Sequence, residues 1–225
     1  MISSLVRLNY KLPPGLVFVP GATIPGENYI PLMEAVQARY PGSLWVAATT
    51  QWAGEMPNPL EIGGQLSGCR DMADQMGLDT SNVFFAGHSL GGVVLESYVA
   101  GHAELTQGII LLGTWLPDLL ARANNQYPVP VLTAIGELDG GGLSYLRREV
   151  EETAALSAAE TSLAKTILVP QVNHAQVGLE GRKQENRDFD LTLTTRWPLA
   201  LWSRAWWTMI LMGSSARRRP TITTA

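Results

Sequence analysis

Six short apolar runs, each bounded by turn residues, set the limits on this fold. They are residues 16–19 (LVFV), 44–48 (LWVAA), 83–86 (VFFA), 109–112 (IILL), 129–135 (VPVLTAI) and 166–169 (TILV). A strand with one wet face alternates apolar and polar residues. These runs do not alternate, so both of their faces must be covered. The stretches between them carry apolar residues at helical spacing, over 30–40, 61–76, 90–100 and 143–164. In 61–76, for example, Leu66, Cys69, Ala73 and Met76 fall on one face. Strand and helix in alternation give an α/β class: a mostly parallel central sheet with helices on both faces. Residues 3–10 add a candidate antiparallel edge strand. The 225 residues, 46% of them apolar, suit one such domain with a sizeable core.

The pattern holds through residue 190 and then breaks. Residues 1–190 read as the α/β domain and 191–225 as a separate segment. That segment contains no Asp or Glu but has Arg196, Arg204 and the run Arg217, Arg218, Arg219. Trp197, Trp202, Trp206 and Trp207 also lie in it. Leu199, Trp202, Trp206 and Met209 form one helical stripe, with Arg204 across from it. Three readings stand: a closing helix on the sheet, an interfacial helix that associates with a membrane, or a poorly ordered end.

Charge and cysteine content narrow the function classes. The net charge of −4 offers no basic excess, so no nucleic-acid partner is expected. Cys69 is the single cysteine, which excludes an internal disulfide and a cysteine-based zinc site. The start, MISSLVRLNYKLPPG, lacks the apolar core of a secretory signal, and no run reaches the roughly 18 apolar residues of a membrane span. A cytoplasmic location is the expectation.

The chemistry centres on Gly87-His88-Ser89-Leu90-Gly91-Gly92, a G-x-S-x-G frame between a predicted strand and a predicted helix. There the chain must turn sharply, and the serine stands above the sheet edge with a strained backbone. Side chains two before and two after would collide, which accounts for Gly87 and Gly91. A serine needs a base, and the base needs an orienting acid. Of the three histidines, His88 is too close to Ser89 to serve and is expected beside the turn or at the pocket edge. His102 lies at the far end of the following helix. His174, in a loop past the last predicted strand, is the expected base. Asp139, in the Gly-rich loop after 129–135, is the expected acid, with Glu137 and Asp118 as alternatives. In a parallel sheet all three loops open at one edge. The Leu90 amide is one expected oxyanion donor. The second is expected from the loop after 16–19, as the Ala22 amide or the Thr23 hydroxyl. Thr23, His88 and Trp115 are expected to border the substrate, while Trp52, Met56, Leu116 and the 57–60 loop either pack in the core and anchor loops or offer apolar walls.

Through these motifs, residues 12–178 resemble the α/β-hydrolase superfamily. The Val17-Phe-Val-Pro-Gly-Ala22 opening resembles its small dienelactone-hydrolase-like and chlorophyllase-like members. The resemblance implies an eight-stranded sheet, a Ser-His-Asp triad, no cofactor and hydrolysis of carboxylic esters, lipophilic or small. Ser89 stands where dienelactone hydrolases carry cysteine, which argues against that activity. The short 114–128 connection implies little or no cap. Acyl transfer, thioester hydrolysis, a chlorophyllase-type pigment esterase and a non-catalytic binding protein remain alternatives on the same fold.

Overall fold

A computed structural model describes residues 13–50, 52–114, 127–140 and 164–177. Strands β1 (Gly15–Val19), β2 (Trp45–Ala48), β3 (Val83–His88), β4 (Ile109–Leu112), β5 (Val131–Gly136) and β6 (Ala164–Val169) form one sheet in the order β2-β1-β3-β4-β5-β6. Every described pairing is parallel. Helices α1 (Ile30–Arg39), α2 (Ile62–Gln75) and α3 (Leu90–Gly101) connect the strands. The expected class and the six expected strands are therefore present. The 143–164 helix, the 3–10 edge strand and the 191–225 segment lie outside the described residues.

Strand residues alternate between two cores because successive side chains leave opposite faces of a sheet. Val17, Val19, Phe85 and Leu111 pack with Leu66 of α2 and Leu95 and Val99 of α3. Leu16, Phe18, Phe84 and Ile110 pack on the other face with Tyr29 and with Met33 of α1. Both faces are dry, which is why the strands read as continuous apolar runs. Each fully buried Leu, Val or Phe contributes about 1.5–3 kcal/mol relative to exposure.

Strand ends differ from expectation in physically simple ways. β5 begins at Val131, not 129, because Pro130 has no amide hydrogen for the ladder. Its carbonyl still accepts the Ile109 N–H at 2.9 Å. β3 runs on through His88, right up to the turn.

The strand order reverses at β1, since the chain builds β2 on one side of it and β3 on the other. Such a reversal opens a crevice at the carboxyl ends of the two diverging strands. β1 and β3 pair in register through Val19 and Gly87. The loop after β1 and the turn after β3 therefore emerge side by side.

Candidate active site

Ser89 sits between β3 and α3 with φ 50° and ψ −125°. This is a sparsely populated conformation for a residue with a side chain, and the surroundings must hold it there. The Ser89 N–H donates to the Leu112 carbonyl at 2.9 Å. The Ser89 carbonyl accepts the Gly92 and Val93 N–H groups at 3.0 and 3.2 Å, which starts α3. The glycine frame is a packing requirement. A Cβ on Gly91 would run into the Pro20 carbonyl, and one on Gly92 into the Thr114 methyl. On Gly87 it would sit 2.7 Å from Gly92 Cα. Gly91 thus lets the loop after β1 rest directly on the start of α3.

His174 lies in the loop after β6, ahead of the turn Ala175–Val177. Asn173 and Gln176 clasp that loop reciprocally. The Asn173 N–H donates to Gln176 Oε1 at 2.7 Å, and the Gln176 N–H donates to Asn173 Oδ1 at 2.9 Å. His174 Nε2 is 2.9 Å from Ser89 Oγ, and His174 Nδ1 is 2.8 Å from Asp139 Oδ2. Asp139 is 1% exposed and its histidine partner 16%. Glu137, the alternative acid, has a different task. Its Oε2 accepts the Gln171 N–H at 2.9 Å, where Gln171 has φ 57°. It braces the loop that leads to His174. Asp118 and Trp115 lie outside the described residues.

Both expected amide donors are open. Among the described residues the Leu90 and Ala22 N–H groups have no acceptor. The first amides of a helix are unpaired within it and favour negative charge. Thr23 does not offer its amide, which donates to the Glu55 carbonyl at 2.8 Å. Its side chain is exposed and borders a cavity of about 370 Å³ shared with Ile24, Trp52 and Glu55. Trp52 is 8% exposed and packs in the core, so it supplies little free wall. Leu60, 96% exposed, stands in solvent.

The expectation for His88 needs correction. It is fully buried and presents no surface to a substrate. Strand alternation directs it into the core beside Tyr29, whose hydroxyl is 2.8 Å from its Nδ1. Desolvation, and then the charge of nearby His174, hold its pKa well below the ordinary 6.5, although contact with the His174 backbone partly offsets this. Burial likewise pushes the Tyr29 hydroxyl up, above its ordinary range. Both groups are neutral at working pH.

Sequence reasoning missed Gly113. It follows β4 at the same edge with φ 55°. A Cβ there would lie 2.9 Å from His174 Nδ1 and 3.2 Å from Asp139 Oδ2. A glycine ending an apolar run at the edge that carries Ser89 was the available signal. Tyr29 was missed as well, and no local pattern marks it.

A serine hydroxyl, an imidazole and a buried carboxyl in one hydrogen-bonded line, beside open amides, can support nucleophilic attack on a carbonyl. The family model for the alpha/beta hydrolase family matches residues 15–196. The chain belongs to the alpha/beta hydrolase family. No curated protein matches this family member by sequence. Among solved structures it is similar to a predicted CIB-like hydrolase from Thermoplasma acidophilum, at 11% identity and TM-score 0.54, over 92% of this chain and 89% of that one. Est1E from Butyrivibrio proteoclasticus aligns at 16% identity and TM-score 0.52, over 93% and 91% of the two chains. A structure from a study of carboxylesterases of Nitrososphaera gargenis aligns at 10% identity and TM-score 0.51, over 73% and 84%. At these identities the likeness concerns the fold.

Proposed function

We propose that this hydrolase-family protein is a serine carboxylic-ester hydrolase that works through an acyl-enzyme on Ser89. The observation that carries the reading is the unbroken Ser89–His174–Asp139 line, at 2.9 and 2.8 Å. Asp139 accepts a hydrogen bond from His174 Nδ1–H, which fixes the tautomer and turns the Nε2 lone pair toward the serine. Ser89 Oγ bonds to the ester carbonyl carbon while its proton passes to Nε2. The carbonyl electron pair moves to oxygen, where the Leu90 and Ala22 amides stabilise it. Collapse breaks the bond to the alcohol, which leaves with the Nε2 proton. Water then adds to the acyl carbon and gives a proton to Nε2. The second collapse releases the acid, and Ser89 recovers the proton. Small or lipophilic acyl esters are the proposed substrate class. The Nitrososphaera gargenis structure, from a study of carboxylesterases, supports ester hydrolysis in general.

Hydrolysis of p-nitrophenyl esters of increasing acyl length tests the proposal. Ser89→Ala should lower kcat by about 10³–10⁶-fold. A fluorophosphonate should label Ser89 in the wild-type protein. Retained activity in the alanine variant, or an unlabelled Ser89, would refute it.

A further inference from the structure

Three consecutive amides in the loop after β1 have different partners. The Gly21 N–H donates to the Tyr29 hydroxyl at 2.9 Å. The Thr23 N–H donates to the Glu55 carbonyl at 2.8 Å, and both of those residues hold positive φ, 56° and 58°. Between them, the Ala22 N–H has no acceptor among the described residues. The loop is anchored on either side of the one amide that faces chemistry in the proposed reaction.

The Tyr29 anchor leads directly to the nucleophile turn. Its hydroxyl oxygen receives the Gly21 hydrogen, so its own hydrogen must go elsewhere. The acceptor at hand is His88 Nδ1 at 2.8 Å, in the residue preceding Ser89. That assigns the His88 hydrogen to Nε2, which is fully buried. The packing allows little slack. A Cβ on Gly21 would lie 2.9 Å from His88 Nδ1 and 3.3 Å from the Tyr29 hydroxyl. Tyr29 and His88 are both fully buried, and the Tyr29 ring packs against Phe18 at 4.5 Å. The His88 ring in turn lies 4.8 Å from the His174 ring.

We propose that Tyr29 and His88 form a buried positioning pair, which fixes the distance from the loop carrying the Ala22 amide to the Ser89 turn. The inference rests on the proposed ester hydrolysis and adds two residues that never touch substrate. An amide pointed at a developing oxyanion helps only if it is held before the reaction begins. One hydroxyl, bridging the loop and the residue before the nucleophile, does this. Burial also keeps the His88 ring neutral beside His174, so no second cation opposes the imidazolium that forms there.

The test compares wild type, Tyr29→Phe, His88→Asn and His88→Leu on one p-nitrophenyl ester. Burst amplitude counts the competent sites, and a trifluoromethyl ketone reads oxyanion stabilisation. Tyr29→Phe keeps the ring on Phe18 and removes only the hydroxyl. Its kcat per competent site should fall about tenfold to hundredfold, the range for a small misplacement of reacting groups. KM should stay within about twofold, and ketone affinity should fall in step with kcat. Asparagine at 88 can present an amide oxygen to the Tyr29 hydroxyl, so His88→Asn should retain more kcat than His88→Leu. Unchanged kcat per competent site in Tyr29→Phe would overturn the pair's role, as would a loss explained wholly by burst amplitude. Equal loss in the two His88 variants would overturn it too. If wild type neither hydrolyses esters nor takes a fluorophosphonate label, the esterase reading fails first and the pair falls with it.

Discussion

Gly113 is where two demands meet on a single residue. Its φ of 55° is one that an L side chain resists, and its missing Cβ leaves room for the His174–Asp139 contact. Gly113→Ala should cost about 1–2 kcal/mol of backbone strain. It should also press on Nδ1 from 2.9 Å. The expected outcome is a folded protein with a melting point lower by a few degrees and kcat reduced at least about tenfold. Thermal melting and ester kinetics on the same sample check it, and wild-type kcat would contradict the packing role. Ser89, Asp139 and His174 were legible because each ends or follows an apolar run, and parallel strands bring such ends to one edge. His88 was not. A histidine beside a serine looks like a pocket residue in sequence. Its buried partner, Tyr29, lies 59 positions away.

α3 links the turn to the core, so a change in its body should separate stability from chemistry. Leu95 is fully buried, packs in the same core as Phe85 and Leu111, and lies nearly two turns past Ser89. Leu95→Ala removes that packing and leaves a cavity, at a cost of about 2–5 kcal/mol. Urea unfolding should show a lower midpoint with an unchanged slope. The kcat of the folded fraction should stay within about threefold, since the turn is fixed from outside the helix by Pro20, Leu112 and Thr114. A much larger kcat loss would mean that α3 packing itself sets the serine. The elements were the most readable level, because continuous apolar runs and helical spacing encode burial directly. Their ends were less so. The start of β5 is set by Pro130, whose carbonyl joins the ladder while its nitrogen cannot.

At the scale of the whole molecule, the sheet order explains why distant residues make one site. Ser89 and His174 are 85 positions apart, and Asp139 and His174 are 35 apart. Neither pair could meet without the parallel arrangement β3-β4-β5-β6. The same closure buries His88, and this links folding to pH. In the folded chain its pKa is well below the ordinary 6.5, through desolvation first and the charge of His174 second. In the unfolded chain it returns to the ordinary value. Below about pH 6.5 the unfolded state therefore binds a proton that the folded state refuses. By proton linkage, stability rises with pH wherever the unfolded state holds more protons. Lowering the pH from 7.5 toward 5 should thus lower stability through this residue. Above the unfolded value the effect vanishes, because both states are neutral there. Carboxylates add slopes of their own at low pH, so the informative quantity is the difference between wild type and His88→Asn. Urea unfolding of both proteins from pH 7.5 to 5 should show that difference shift in favour of the variant as pH falls below about 6.5. Parallel curves through that range would mean that His88 takes up its proton in the folded state, and the neutral Tyr29–His88 pair could not then persist beside His174.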